Sequence, residues 1–446
     1  MEKLRQLFVN PELRKRLIFT LVMLVIFRLG VHVTVPGVNA EMLQRNIGAA
    51  GGLLNVMDLF AGGALKKFSV LALGISPYIT ASIVLQLMGA VVPALEHLQK
   101  KEGDAGRQKV NQWTRYLTVL LAFIQGFGLA HMAQSTPDVV AHPGIGFKLL
   151  CAFTLATGTI FVMWIGEQIT ERGIGNGISL LIFAGIIAGL PKGAHTLYQL
   201  FRDALAQKPN VAPPGIFILL MAVMAAVLIA VVLVENAYRR IPIHYARRVD
   251  SSRMASQRSS YLPLKLNTSG VMPVIFAGSI ISFPATIAQM THWEWLVKAS
   301  AWFNPQSHFW SYTPIFVVAV VFFAFFYTSI VFNPDETAEN MKRSGGYIPG
   351  IRPGKETSVF MDSVLSKLTF AGAVYLALVS LIPLLILNQM PTLNFYYGGT
   401  SLLIVVGVAM DTVSQLESYQ VMRKYDGFLE KGRIRGGRMA RAEARG

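Results

Sequence analysis

Residues 68–95 read FSVLALGISPYITASIVLQLMGAVVPAL. The stretch holds no Lys, Arg, Asp or Glu in 28 residues, long enough to cross a bilayer, which takes roughly 20 predominantly apolar residues. It is nevertheless speckled with Ser69, Gly74, Ser76, Pro77, Thr80, Ser82 and Gln86. Lipid solvates none of these well. Small and polar residues in a span favour contact with another helix or a watery cavity, so this segment is expected to face protein or pore. On a helix Ile75 and Ile79 are one turn apart, and Ser82, Ile83 and Gln86 continue roughly along the same face.

The rest of the chain fits a membrane protein. Of 446 residues, 53% are apolar and 14% charged, against about 25% charged in a soluble domain. Ten apolar segments are marked, near 17–35, 68–93, 116–136, 149–166, 173–190, 216–234, 270–290, 313–332, 368–388 and 396–415. Arg28 lies well inside the first, and Asp411 towards one end of the last. The first segment lacks a small-residue cleavage pattern and reads as a retained span.

Charge sets the expected orientation. The 40 Lys and Arg are unevenly distributed. Residues 1–16, 94–115, 167–172, 235–267, 333–367 and 417–446 hold 31 of them. These are the two ends and every second connection, so the positive-inside rule puts both termini in the cytoplasm with an even number of spans. Lipid headgroups alone could account for part of that charge, but the two long basic loops, 235–268 and 333–367, also read as docking surfaces. The tail 431–446 is poor in apolar residues and reads as disordered. In the outer connection 36–67, the run LLNVMDLFAGGAL (53–65) is too short to span. It reads equally as a helix dipping in from outside or as an amphipathic surface helix.

Several functions find no residues to carry them. From 68 to 410 no span core is expected to place an Asp, Glu, His or Lys at mid-membrane, as ion-coupled carriers do. No GxxxxGK[ST] loop, metal-ligand spacing or catalytic triad is present. The lone Cys151 sits in an apolar run and reads as a buried thiol. The chain is expected to be neither an enzyme nor a cofactor protein. A conduit, a ten-span solute carrier and a static membrane anchor remain open. A second speckled segment, GVMPVIFAGSIISFPATIAQM (270–290), suggests a seam, although on periodicity alone plain packing of a static bundle is the better explanation of the pattern.

Five stretches carry a resemblance. They are SVLALGISPYITASIVLQLM (69–88), MWIGEQITERGIGNGISLLIFAGIIAGL (163–190), LPLKLNTSGVMPVIFAGSI (262–280), FNPDETAENMKRSGGYIPGIRPG (332–354) and FYYGGTSLLIVVGVAMD (395–411). Together they resemble the SecY/Sec61-alpha family, the channel subunits of the Sec protein translocase. The resemblance implies an all-α polytopic protein. Its ten helices would form two inverted halves of five, 1–191 and 215–416, around an hourglass pore, with an external hinge connection at 192–214 and a basic tail at 417–446. It implies a pore ring of Ile75, Ile79, Ile178, Ile182, Ile275 and Ile404. It implies a plug near 53–65, including Asn55, Met57, Phe60, Gly62 and Gly63. A lateral gate is implied between 68–93 and 270–290, with Thr80, Gln86, Asn267 and Phe283 at gate positions. Arg352 is implied to dock the motor SecA and ribosomes. Further implied partners are two small membrane subunits like SecE and SecG, signal peptides, unfolded precursors and membrane lipids, with no direct DNA binding. The implied location, since no transit peptide is seen, is a bacterial inner membrane. Met272 and Val274 are small departures, and Asp335 is acidic where some relatives are basic, which leaves a charge-specific contact there open.

Overall fold

A computed structural model describes residues 11–39, 42–43, 58, 61–95, 98, 103–136, 139–206, 213–245, 260–291, 295, 298–299, 302, 309–389 and 400–419. Each of the ten apolar segments carries a helix. In chain order these are α1 (Pro11–Gly30), α2 (Ser76–Val91), α3 (Gly103–Ser135), α4 (Ile145–Arg172), α5 (Gly177–Leu205), α6 (Pro214–Glu235), α7 (Met272–Thr291), α8 (Phe309–Val331), α10 (Lys355–Gln389) and α11 (Thr400–Tyr419). A short α9 (Pro334–Arg343) follows α8. Among the described residues, seven helices are long and apolar enough to cross a membrane by length and composition, and Ser76–Val91 and Met272–Pro284 are shorter apolar helices. The chain is a multi-pass membrane protein.

Packing runs from neighbour to neighbour within two groups. On one side α3 packs on α4 and α2, and α4 packs on α5 and α1. On the other α8 packs on α7 and α10, and α10 on α6. The groups meet where α7 packs against α2 and α3 and where α6 packs against α5. One apolar cluster bridges the meeting, drawing buried residues from α1, α2, α4, α5, α6, α7, α8, α10 and α11. Exposed Leu, Val, Phe and Trp side chains such as Phe153, Leu228, Trp310 and Val318 cover the outside. In a bilayer that surface faces lipid, where apolar exposure costs nothing.

Three sequence expectations change. First, 68–93 is not one helix. Residues 61–75 are a succession of turns, and helix begins only at Ser76. The cause is local. Phe68 has φ +45° and Gly74 φ +55°. The backbone of 68–70 pairs with 33–35, through Val35 N to Phe68 O at 3.0 Å and Val70 N to Val33 O at 2.8 Å, and Pro77 suits the first helical turn. Second, the connection expected at 192–214 is helical as far as Leu205, because α5 runs through Pro191. Third, the long basic loops add strands to an otherwise helical body. β1 (Tyr238–Tyr245) pairs antiparallel with β2 (Ser260–Lys265) and with β3 (Gly346–Tyr347), in the order β2-β1-β3.

The two loops therefore fold as one unit. Ile241, Ile243 and Leu264 of the sheet are buried with Ala338 and Met341 of α9, Ile348, and Met361, Val364 and Leu365 of α10. Asn333 caps α9, its Oδ1 accepting from Asp335 N at 3.1 Å and Glu336 N at 3.4 Å. Such a cap satisfies backbone donors that the first turn leaves unpaired.

Candidate functional site: an isoleucine junction and its closures

The six isoleucines share one large apolar cluster. Ile75 precedes α2 and Ile79 lies on it; Ile178 and Ile182 open α5; Ile275 is on α7 and Ile404 on α11. Five are buried in the bridging cluster and Ile178 packs against it. Local chemistry explains how α5 delivers its pair. Asn176 caps the helix through Ile178 N (3.1 Å) and Ser179 N (3.3 Å). Gly177 sits so close to α4 that a Cβ there would meet Gly166 O at 1.9 Å. Only glycine permits that approach. Isoleucine is β-branched and stiff at χ1, so the cluster presents a defined apolar surface rather than a fluid one.

The turn before α2 packs into the same cluster. Ala61 and Ala64 are buried beside Ile75, Ile79, Ile182 and Ile186. Gly62 has φ +66° and Gly63 φ +85°. A Cβ on Gly62 would lie 2.9 Å from Gly185 Cα of α5. Asp58 anchors the turn from within. Its carboxylate accepts Lys66 N at 3.0 Å, its Oδ2 lies 3.6 Å from Lys66 Nζ, and its carbonyl accepts Gly63 N at 2.9 Å. Burial pushes the Asp58 carboxyl above its ordinary value, against the pull of Lys66. Of the five plug residues expected, Gly62 and Gly63 occupy this turn. Asn55, Met57 and Phe60 lie outside the described residues.

The gate residues behave less uniformly. Thr80 is buried and donates to Ser76 O at 3.1 Å within α2. Gln86 Nε2 donates to Ser82 Oγ at 3.0 Å, and Gln86 Oε1 is buried with no hydrogen-bond partner. Asn267 Nδ2 donates to Glu235 Oε1 at 2.8 Å and to Gly270 O at 3.1 Å. Phe283 is half-buried on α7. The bonds of Thr80, Gln86 and Asn267 stay within their own group of helices, and α2 and α7 share the apolar cluster. On its other side α7 is fastened to α8 by Phe276, edge-on to Phe323 at 5.9 Å and Tyr327 at 6.0 Å.

At the end with the basic loops, Arg352 is exposed and its carbonyl accepts Thr357 Oγ1 at 2.8 Å. Ser358 Oγ donates to Asp335 Oδ1. Asp335 thus serves an internal contact that holds the loop. Among the described residues the sequence reading passed over one contact: His131 Nδ1 and Lys148 Nζ are 2.9 Å apart, near the C-terminal end of α3 and the N-terminal end of α4. It is remote in sequence from every isoleucine of the junction.

Sequence reasoning missed three ties. Arg28 Nη1 donates to Gly62 O at 2.7 Å. Gly175 N donates to Gln415 Oε1 at 3.1 Å, and Ile174 N to Thr20 Oγ1 at 3.1 Å. Arg28 alone left a signal, as a charge inside a span, where charged residues mark function by default.

Similarity to known proteins agrees with this arrangement. The family model described as SecY matches residues 69–413. The protein translocase subunit SecY of Escherichia coli (strain K12) is 44% identical over 435 residues, covering 95% of this chain and 96% of that one. SecY of Thermotoga maritima is 43% identical over 441 residues, covering 97% and 98%. Among solved structures, a protein-conducting channel aligns with TM-score 0.68 at 18% identity, covering 92% of this chain and 93% of that one. Sec61 in the canine ribosome–channel complex aligns with TM-score 0.64 at 17% identity, covering 92% and 93%. The fold is shared with both structures, and by its sequence the chain belongs to the SecY family.

Proposed function

We propose that this chain is the channel subunit of a protein translocase. Unfolded polypeptides would cross the membrane through the isoleucine junction, and hydrophobic segments would leave sideways between α2 and α7. The observation that carries the reading is that six isoleucines, from the start of α2, α5, α7 and α11, belong to or pack against one apolar cluster that spans both groups of helices. A hydrophobic constriction resists wetting and so excludes ions without bonding to what passes. Bulky, stiff isoleucines suit a gasket for chains of any sequence. A segment at the open seam would partition by transfer energy. One charge at its centre disfavours lipid by about 2.5–3.5 kcal/mol on the insertion scale, and such a segment continues across.

In this reading 1–191 and 215–416 are inverted halves, and the 61–75 turn is the inner part of the plug. A related SecY whose plug domain stabilises the closed channel and maintains the seal shares the fold, with TM-score 0.65 at 18% identity. The folded unit of β1, β2, β3 and α9 presents Arg352 to a SecA motor or a ribosome, and small subunits like SecE and SecG complete the complex. The chain carries no chemistry of its own, and a partner supplies the energy. In this reading both termini lie in the cytoplasm and the membrane is a bacterial inner membrane; the Lys and Arg gathered in alternate connections support that orientation.

The test uses Cys151→Ser as background, with Ile275→Cys, Phe283→Cys or Leu228→Cys added singly. A secretory precursor with a cysteine is stalled in midpassage. Disulfide adducts are expected at 275 and 283 and not at 228, which is exposed on α6. A confirmed stalled precursor with no adduct at 275 overturns the path.

A further inference from the structure

The packed turn before α2 is held at two points, and one of them is a charge. Arg28 belongs to α1, with Leu24, Val25, Ile26, Phe27 and Leu29 around it in sequence. A guanidinium within a span is costly unless it finds a partner or water. Arg28 is half-buried, and its Nη1 donates to Gly62 O at 2.7 Å. That carbonyl cannot easily turn away. Gly62 sits at φ +66°, with the position of a would-be Cβ 2.9 Å from Gly185 Cα. Gly74 at φ +55° closes the turn against Ala61, whose Cα is 3.1 Å from a Cβ placed there. The turn is thus clamped between α1 and α5, directly on the isoleucine cluster, by one hydrogen bond from a cation and one glycine contact.

We propose that Arg28 is a positioning residue that latches the 61–75 turn on the isoleucine junction by holding the Gly62 carbonyl, and so sets how readily the channel opens. The inference rests on the plug reading above. The chemistry suits a latch. A hydrogen bond from a charged donor is stronger than a neutral one, so it favours the seated turn. Its acceptor is a neutral carbonyl, so release strands no second ion in the membrane. The exposed part of Arg28 can then take water, and the seat re-forms without a charge search.

The test uses the channel with its small subunits in liposomes, with Cys151→Ser and Ala64→Cys. Ala64 is a fully buried residue of the turn itself, so thiol labelling reports unseating. In the idle channel Arg28→Gln is expected to speed labelling about tenfold, the factor that loss of a charged hydrogen bond corresponds to. It is also expected to raise export of a precursor with a weakened signal peptide. Arg28→Lys keeps the charge without the planar fork and should lie between. If Arg28→Gln does not accumulate, Arg28→Lys decides. Labelling equal to that of the unaltered Arg28 channel in whichever variant accumulates overturns the latch. A stalled precursor in the Arg28 channel is the separate control. It should expose Ala64→Cys to label. If Ala64→Cys stays protected while the precursor is stalled, the plug reading itself fails, whatever Arg28 does.

Discussion

Gln415→Leu tests how the two groups of helices are held at the end with the basic loops. The turn 173–177 is bound from both sides. Ile174 N donates to Thr20 Oγ1 of α1, and Gly175 N to Gln415 Oε1 of α11, each at 3.1 Å. Gly175 is at φ +88°, and a Cβ there would stand 2.9 Å from Leu180 Cδ1 and 3.3 Å from Thr412 Oγ1, so the turn has little room to find another acceptor. Leucine fills the space of Gln415 and offers no oxygen. A hydrogen bond contributes about 0.5–1.5 kcal/mol net, and an orphaned buried donor costs about 1–3 kcal/mol. The contact is part-buried, so about 1–2 kcal/mol is the reasonable range. If α11 leaves the turn when the seam opens, the whole loss falls on the closed state. The closed-to-open ratio then falls by about 5- to 30-fold. Spin labels on Met88→Cys of α2 and Phe322→Cys of α8, both exposed, would read the separation across the seam in a Cys151→Ser background. Gln415→Leu is expected to enlarge the long-distance population by that factor in the idle channel. A folded variant whose distance distribution is unchanged refutes the clasp.

Other outcomes follow from the same geometry. Gly177→Ala places a Cβ 1.9 Å from Gly166 O and should abolish folded protein in membranes, whereas Gly144→Ala, with nothing within 4 Å, should leave the unfolding temperature unchanged. Ile182→Ala with Ile275→Ala removes two side chains that are 1% and 4% exposed. Each is expected to cost about 2–5 kcal/mol of stability and to make proteoliposomes leak potassium, and Ile→Leu at both sites should restore the seal. Asp58 sets a pH dependence. Its carboxyl is raised above 3.8 chiefly by burial, so the folded turn binds the proton more readily than the unfolded chain. Acidification from above the raised value down to about 3.8 should therefore strengthen the turn, with no further gain below. Hydrogen exchange of 61–75 should slow over that window, and Asp58→Asn should erase the change. Thr357→Val frees the Arg352 carbonyl from its 2.8 Å bond and should weaken motor-driven transport several-fold while leaving the fold intact by thermal unfolding.

Much of the site was legible before any coordinates. Ile75, Ile79 and Ile182 lie on regular helical faces, and burial of those faces is the predictable part of a span. The matched pattern around GIGNGIS carried Ile178, and the segments holding Ile275 and Ile404 were visible as spans. What the pattern could not give was the conformation of 61–75. Its composition reads as helix, yet backbone pairing between 68–70 and 33–35 uses the same N–H and C=O groups that a helix would need. Local propensity lost to a contact more than thirty residues away. The hydrogen bonds of the gate residues were not legible either. Thr80 Oγ1 and Gln86 Nε2 donate one turn back along their own helix, as Thr in spans commonly does, while Gln86 Oε1 is left without a partner.

By itself the sequence determined the medium and marked the apolar segments that carry helices, because apolar length acts residue by residue. It also identified the family through five long stretches in order. The tertiary structure alone decided which groups meet: Arg28 with Gly62, Gly175 with Gln415, Asp58 with Lys66, and two basic loops in one sheet. Except for Asp58 with Lys66, which are eight residues apart, each depends on close approach between segments distant in the chain. Such approaches are set by where glycine lets backbones touch and by which hydrogen bonds must close in the absence of water.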